Sequence, residues 1–347
     1  MKTRLAFLCA LALLLCSCGG STPGGKSGGA SSGNKGGSHE PERSAGIRSF
    51  PEVSAPSVFA EDQDAAREYV LEHYWDAFFK GDWPTTLDRI LGVEDAGVEQ
   101  ALSNYIQILI LMKERSTPDS PAPFNMACKS VQLLFSKLEA KQLADTSAKT
   151  YLRFTEKVSK YLYDPNSPMR DEDFYLPFVE GMTKSPCTRP DMRNAYLYEA
   201  RQCRTNSYGK TVPNFSFKDA RGNKSSLYSH KADYVMLFFS NPGCSSCKEI
   251  IDELNACLFI PQMIADKHLA VINIYIDEEV EVWRSYLHNY PSFWINGYDY
   301  TFSLRVSGGY DIRAIPSLYL LDAHKRVLLK DAPTKRVIAY LENIHEQ

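Results

Sequence analysis

The stretch that decides the fold runs from residue 234 to residue 247 and reads Tyr234-Val235-Met236-Leu237-Phe238-Phe239-Ser240-Asn241-Pro242-Gly243-Cys244-Ser245-Ser246-Cys247. The run from Tyr234 to Ser240 is almost entirely apolar, which is typical of a parallel strand covered on both faces. Lys248 to Phe259 follow with apolar residues at helical spacing. The sequence therefore predicts a buried strand, a tight turn, a Cys-x-x-Cys pair and a helix, in that order.

This order places the two cysteines at the first turn of a helix. Unpaired backbone N–H groups and the positive end of the helix dipole lie there, and both stabilise a thiolate. Cys244 is therefore the predicted nucleophile. Cys247, one turn later and less exposed, is the predicted resolving thiol, because it is placed to attack a mixed disulfide formed at Cys244.

Further segments downstream extend the pattern. The predicted strands are His268–Asp277, Leu318–Asp322 and Arg326–Lys330, and Lys335–Ile344 is a predicted closing helix. Ala314-Ile315-Pro316-Ser317 comes directly before the second of these strands.

Together with Val212-Pro213-Asn214-Phe215, Gly222 and Ser226-Leu227 upstream, this succession resembles the TlpA/ResA-type branch of the thioredoxin family. The resemblance covers residues 206–347 and implies an α/β thioredoxin-like fold. It also implies that Pro316 is a cis-proline facing the cysteine pair, with the Ile315 backbone pairing with an extended substrate. The alternative is an ordinary trans proline that enters an edge strand.

The chain departs from this family near the cysteines. The family usually has a Trp directly before the first cysteine or one residue earlier, and often Gly-Pro or Glu-Pro between the two. Here those places hold Pro242-Gly243 and Ser245-Ser246. The acidic residue that often assists the buried cysteine is missing at Phe238 and Ile250, and Glu249 lies one position away. The base is then water, another carboxylate or absent, and the redox potential can differ from that of better-known members.

The N-terminus has the pattern of an export signal. Two basic residues precede the apolar run Leu5–Leu15, which is too short to span a bilayer. Leu15-Cys16-Ser17-Cys18-Gly19 resembles the bacterial lipoprotein box, which implies a signal peptide over residues 1–17 and lipidation of Cys18. A plain secretory peptide is the alternative. We expect a lipid-anchored protein of the Gram-negative cell envelope, at the periplasmic side of the outer membrane.

Residues 18–54 are a predicted flexible tether, because a segment rich in Gly and Ser cannot bury enough apolar surface to order itself. From residue 55 to 205, apolar residues recur at spacings of three and four, which predicts an all-α domain. The predicted helices are Ala65–Trp75, Leu102–Met112, Ala127–Leu138, Ser147–Tyr163 and Asp171–Met182.

Two stretches of this domain stand out. We interpret His73-Tyr74-Trp75-Asp76 as part of an amphipathic helix whose aromatic residues pack a core. Residues 161–170 contain two prolines, and they either end a helix or form a binding loop. The two stretches resemble a helical domain of unknown function that precedes thioredoxin-like domains in envelope lipoproteins. That resemblance implies no activity.

Composition and the remaining cysteines limit the partners. The 42 acidic and 39 basic residues nearly cancel, and no long basic run is interleaved with aromatics, so we expect no nucleic-acid partner.

The cysteines outside the Cys244–Cys247 pair bear on metal binding and on further disulfides. A closed zinc site needs four ligands, and Cys257 and His268 are poor candidates for the two that Cys244 and Cys247 do not supply, so we expect no metal or other cofactor. Cys187 and Cys203 are the best candidates for a structural disulfide, and free thiols at these positions and at Cys128 and Cys257 are the alternative.

Two functions are compatible with these patterns. The leading hypothesis is a membrane-tethered thiol–disulfide oxidoreductase, which the resemblance favours as a reductase or exchange enzyme. It would act on envelope proteins with cysteines and exchange electrons with an unidentified redox partner. The alternative is a non-catalytic envelope binding or assembly module on a thioredoxin-like scaffold. The missing Trp and acid favour the module, whereas the retained cysteine pair and Ile315-Pro316 favour the enzyme.

Overall fold

The computed structural model describes residues 46–306, 309–310 and 312–346. The predicted signal peptide, the lipidation site Cys18 and most of the predicted tether lie outside these residues. The described residues belong to one compact unit. Among the described residues, no helix combines the length and the apolar character that a membrane span requires.

Residues 46–205, called the helical part below, contain seven α-helices and one small hairpin among the described residues. The helices are α1 Gln63–His73, α2 Asp76–Phe79, α3 Asp95–Glu114, α4 Ala122–Ala144, α5 Thr150–Leu162, α6 Glu172–Lys184 and α7 Arg193–Arg204. The hairpin pairs β1 Arg89–Ile90 with β2 Val93–Glu94. The five predicted helical segments fall within α1 and α3 to α6 and their immediate ends, whereas α2, α7 and the hairpin were not predicted.

Aromatic side chains fill the core of the helical part. Trp75 is 2% exposed and packs edge-on against Tyr105 and Phe154. The interpretation of residues 73–76 as core aromatics is therefore confirmed for Tyr74 and Trp75. Packing also begins earlier than residue 55, because the ring of Phe50 lies 5.4 Å from that of Trp75.

The described residues between 206 and 346, called the sheet part below, form a seven-stranded mixed sheet. Its strands are β3 Ser216–Asp219, β4 Lys224–Ser226, β5 Tyr234–Phe239, β6 Leu269–Tyr275, β7 Ile295–Tyr298, β8 Ser317–Asp322 and β9 Val327–Leu329. The order across the sheet is β4-β3-β7-β6-β5-β8-β9. β5 pairs in parallel with β6 and antiparallel with β8, so the stretch that decided the fold lies near the middle of the sheet.

Helices cover this sheet and create two apolar layers. They are α8 Ser245–Ala256, α9 Phe259–Ala265, α10 Val280–Tyr286, α11 Ser303–Val306 and α12 Thr334–His345. Alternate residues of β5 enter opposite layers, since Met236 and Phe238 join one apolar cluster whereas Val235, Leu237 and Phe239 join the other. The prediction that this strand is covered on both faces is confirmed.

Candidate active site

The two cysteines lie where β5 turns into α8. Gly243 has a φ of +74°, a conformation that favours glycine, and it directs the chain into the N-cap of the helix. Cys244 is that N-cap, and its Sγ accepts the backbone N–H of Cys247 at 3.1 Å. The sequence-predicted placement at the first turn of a helix is confirmed.

The two cysteines form a disulfide, with their Cα atoms 5.2 Å apart. Cys247 is only 2% exposed, whereas Cys244 is half-buried. Cys247 packs in an apolar cluster with Phe238 and Ile251. A thiolate or disulfide from another molecule can therefore reach Cys244 more readily than Cys247, which fits the predicted roles of nucleophile and resolving thiol.

The Ile315–Pro316 peptide bond is cis, as the resemblance implied. Ser317, the next residue, pairs with Phe239 at the end of β5. Because β5 leads directly into the cysteine turn, this register brings the cis-proline to the same end of the sheet as Cys244. Ile315 and Cys244 pack against the same apolar cluster.

A group of mostly buried polar side chains lies on and next to β5, β6 and β7. Ser240 donates to Asn273 Oδ1 at 2.6 Å, and Asn273 Nδ2 donates to Asn296 Oδ1 at 2.9 Å. The Ser240 hydroxyl also lies 3.3 Å from the Tyr290 hydroxyl, whose pKa is raised by burial. These neutral amides and hydroxyls satisfy one another's hydrogen bonds.

A second polar group fixes the turn itself. Asn241 Nδ2 donates to Asp277 Oδ2 at 2.5 Å, and Asp277 also forms an ion pair with Arg305. The backbone N–H of Cys244 donates to the carbonyl of Asn241 at 3.3 Å. No motif in the sequence marked Asn241, Asp277 or Arg305 as functional residues. The one available signal was that Asp277 ends a predicted parallel strand, since the ends of neighbouring parallel strands meet at one edge.

The predicted disulfide between Cys187 and Cys203 is wrong, and the alternative of free thiols holds for both. α7 directs Cys203 into the core of the helical part, where it is completely buried. Cys187 instead lies in the loop after α6, beside a surface groove, and is half-buried. Burial raises the pKa of both thiols.

Cys257 and His268 are the remaining candidates for a metal site, and each makes a contact of its own outside the cysteine pair. Cys257 Sγ bonds the carbonyl of Glu253 at 3.3 Å, and His268 Nδ1 lies 2.5 Å from a carboxylate oxygen of Asp233 at the surface. The residues that the structure describes contain no group of three or more His, Cys, Asp or Glu side chains that could hold a metal ion.

The chain is similar in sequence and fold to a solved structure. A thioredoxin-like protein from Bacteroides caccae is 34% identical, with a TM-score of 0.67, and the alignment covers 86% of this chain and 99% of that one. The chain belongs to the thioredoxin-like proteins. The predicted fold class, a C-terminal α/β thioredoxin-like fold after a helical region, is confirmed.

Each of the other matches covers only one part of this thioredoxin-like protein. Residues 28–200 match the family described as a domain of unknown function, DUF5106. The C-terminal domain of an uncharacterized Bacteroides fragilis protein is 42% identical over 40% of this chain and 99% of that one, with a TM-score of 0.39. The thioredoxin domain of a Bacteroides vulgatus thiol-disulfide oxidoreductase is 22% identical over 40% and 97%, with a TM-score of 0.36. A search of curated proteins gave no match.

Proposed function

We propose that this thioredoxin-like protein is a thiol–disulfide oxidoreductase that acts on cysteine-containing proteins of the cell envelope. The observation that carries the proposal is the disulfide at the start of α8, which joins a half-buried Cys244 to a buried Cys247. A scaffold has no need for such a pair, whereas an exchange enzyme needs one accessible and one protected sulfur.

In the reducing direction, the reaction begins with both cysteines as thiols. The Cys244 thiolate attacks one sulfur of a substrate disulfide, that S–S bond breaks, and the second substrate sulfur leaves and takes up a proton. The Cys247 thiol then loses its proton and attacks Cys244 Sγ, which releases the first substrate sulfur as a thiol. The substrate has gained two electrons and two protons, and a dithiol donor must reduce the Cys244–Cys247 disulfide again.

Residues 312–316, called the cis-proline loop below, supply the place where the substrate chain binds. Pro316 has no N–H, and the Ile315 backbone precedes β8 at the end of the sheet that holds Cys244. An extended peptide beside this loop would gain backbone hydrogen bonds in the manner of an added strand. Binding through the backbone suits a protein that accepts several substrates.

We further propose that lipid on Cys18 anchors the chain to the periplasmic side of the outer membrane. The lipoprotein box at residues 15–19 supports this location. Several acyl chains give durable attachment, because each buried CH₂ contributes about 0.8 kcal/mol. A Cys18→Ser chain should therefore leave the membrane fraction while keeping its redox chemistry, and its retention in that fraction would argue against the anchor.

A non-catalytic binding module is the second candidate. It is favoured by Phe238 and Ile250, which place apolar side chains where the family often has an acid. Slow deprotonation of Cys247 would then limit turnover.

The reduction potential of the pair in the Cys18→Ser chain, measured by equilibrium with dithiothreitol or glutathione, separates the two functions. A potential of about −250 mV or below, with partners trapped by Cys247→Ser, supports a reductase, and about −120 mV indicates an oxidant. A pair that neither cycles nor traps any protein would overturn the enzyme in favour of the module.

A further inference from the structure

A largely buried arginine of the cis-proline loop, Arg313, joins this loop to the helical part. Arg313 lies two residues before Ile315, and its side chain is only 18% exposed. It forms an ion pair with Glu172, the first residue of α6 in the helical part. A guanidinium removed from water in this way needs a partner of fixed geometry, so the ion pair restrains the loop relative to α6.

Glu172 is itself held on its other side. Its second carboxylate oxygen lies 2.6 Å from Nζ of Lys330, which directly follows β9, and the Glu172 side chain is 4% exposed. Lys330 also donates to the backbone carbonyls of Gln202 and Thr205 at 2.9 and 2.7 Å. Lys330, which fixes this carboxylate, is therefore itself held by backbone carbonyls at the end of the helical part.

An aromatic pair completes the contact with Arg313. The Arg313 guanidinium lies 4.3 Å from the centre of the Tyr163 ring, and Tyr163 stacks on Tyr175 with ring centres 4.7 Å apart. Tyr163 belongs to the 161–170 stretch that stood out in the sequence. That stretch thus contacts the loop beside the active site, in addition to ending α5.

A third contact joins the same two parts. Arg170 Nε donates to the backbone carbonyl of Asp331 at 2.5 Å, and the Asp331 carboxylate lies 3.8 Å from the Arg313 guanidinium. Arg170 and Glu172 of the helical part therefore contact Asp331 and Arg313 of the sheet part beside the loop. Such an arrangement is rigid, because moving one member leaves another buried charge without its partner.

We propose that Arg313, held by Glu172 and Tyr163, is a positioning residue that sets the cis-proline loop for binding an extended substrate. The helical part thereby takes part in substrate binding without touching the cysteines. This inference rests on the proposed thiol–disulfide function and assigns the helical part a role in it.

The test compares Arg313→Met and Glu172→Gln with a matched control, Arg326→Met. Arg326 also bridges the two parts, through Asp119 at 2.6 and 2.8 Å, and its side chain is 21% exposed, but it lies at the far end of β8 next to Asp322. Arg313→Lys is the conservative variant, because it keeps the charge and loses the planar guanidinium.

Each variant is made in the Cys18→Ser chain and reduced, and its reaction is followed with two probes. One is a fluorescent peptide whose disulfide lies in an extended segment, and the other is the small aromatic disulfide 5,5′-dithiobis(2-nitrobenzoate). For Arg313→Met and Glu172→Gln we expect the half-saturating peptide concentration to rise about tenfold, which corresponds to about 1.4 kcal/mol. The limiting rate and the small-disulfide rate should stay within about twofold, and Arg313→Lys should recover part of the peptide affinity.

Equal losses with both probes, or peptide affinity unchanged in both test variants, would overturn the positioning role. So would a peptide defect of the same size in Arg326→Met. A wild-type chain that reacts with neither probe refutes the proposed function instead.

Hydrogen exchange on the oxidised protein tests the positioning of the cis-proline loop even if the wild-type chain reacts with neither probe. Residues 312–317 should exchange faster in Arg313→Met and Glu172→Gln than in wild type and Arg326→Met, and unchanged exchange would overturn the inference. If Arg313→Met does not fold, Glu172→Gln and Arg313→Lys carry both measurements.

Discussion

The backbone N–H of Cys247 donates to Sγ of Cys244, so the group that stabilises the attacking sulfur comes from the main chain of the resolving residue. Replacing the Cys247 side chain leaves this N–H in place. The two cysteines are therefore expected to give opposite results when each is substituted in turn.

We expect Cys247→Ser to accumulate mixed disulfides and Cys244→Ser to accumulate almost none. Cys244 keeps its position at the start of α8 in the first variant, whereas the second retains only a sulfur that is 2% exposed. Non-reducing electrophoresis after incubation with envelope proteins measures both. Equal trapping by the two variants would show that the roles of nucleophile and resolving thiol are not divided as proposed.

Gly243 offers a test of the turn with a matched control. It has a φ of +74°, Gly222 has a φ of +82°, and an added Cβ would meet nothing within 4 Å at either position. Both Gly→Ala changes should lower the free energy of unfolding by about 1–2 kcal/mol, because an L-residue is strained in this conformation. Denaturant titration measures this loss.

Only Gly243→Ala should also slow the alkylation of reduced Cys244, since only this glycine sets the approach to the helix N-cap. We expect a reduction of a few-fold, measured with iodoacetamide and mass spectrometry at one pH. If Gly222→Ala slows alkylation equally, the effect comes from lost stability and the turn has no special role.

The buried Asp331 predicts an unusual dependence of stability on pH. Burial raises its pKa to about 6, although Arg170 and Arg313 act in the opposite direction. A folded-state pKa above the unfolded value of about 4 means that the folded chain binds this proton more tightly. The contribution is therefore fully present below about pH 4 and is lost as the pH rises through 6.

The expected loss is about 3 kcal/mol for a shift of about two pH units. Urea titrations of wild type and Asp331→Asn at several pH values between 4 and 7 measure it as a difference. Wild type should lose stability relative to Asp331→Asn across this range. A constant difference between the two proteins would show that Asp331 titrates normally.

Among the described residues, four thiols lie outside the active pair, those of Cys128, Cys187, Cys203 and Cys257, and they should remain unlinked in the oxidised protein. Burial raises the pKa of Cys128 to about 12 and also raises that of Cys203, so neither should react with iodoacetamide at pH 8 before unfolding. All four should react in denaturant without reductant, and peptide mass mapping identifies them. A linked peptide that contains Cys187 and Cys203 would contradict the structure.

Local patterns were sufficient to predict β5, the cysteine turn and α8, because a buried strand and an amphipathic helix each leave a strong periodic signal. β7 left no such signal, since Ile295–Tyr298 contains an Asn and a Gly and is only partly apolar. The resemblance, and not periodicity, identified the cis bond before Pro316.

The contacts around Arg313 could not be predicted in the same way. Glu172 and Arg313 are far apart in the chain, and no local pattern shows that folding brings them together. The incorrect pairing of Cys187 with Cys203 has a related cause, because spacing in the sequence does not tell which way α7 directs a side chain.

Glu172 also bears on how this architecture can be divided or recombined. One carboxylate from the helical part lies against both Arg313 and Lys330 of the sheet part. Cutting the chain between the parts would return two cations to water. Grafting residues 206–347 onto a foreign helical domain without a matching acid would bury both cations without the Glu172 carboxylate. The charges of the two parts thus match each other, and we expect a change at residue 172 to be tolerated only together with changes at 313 and 330.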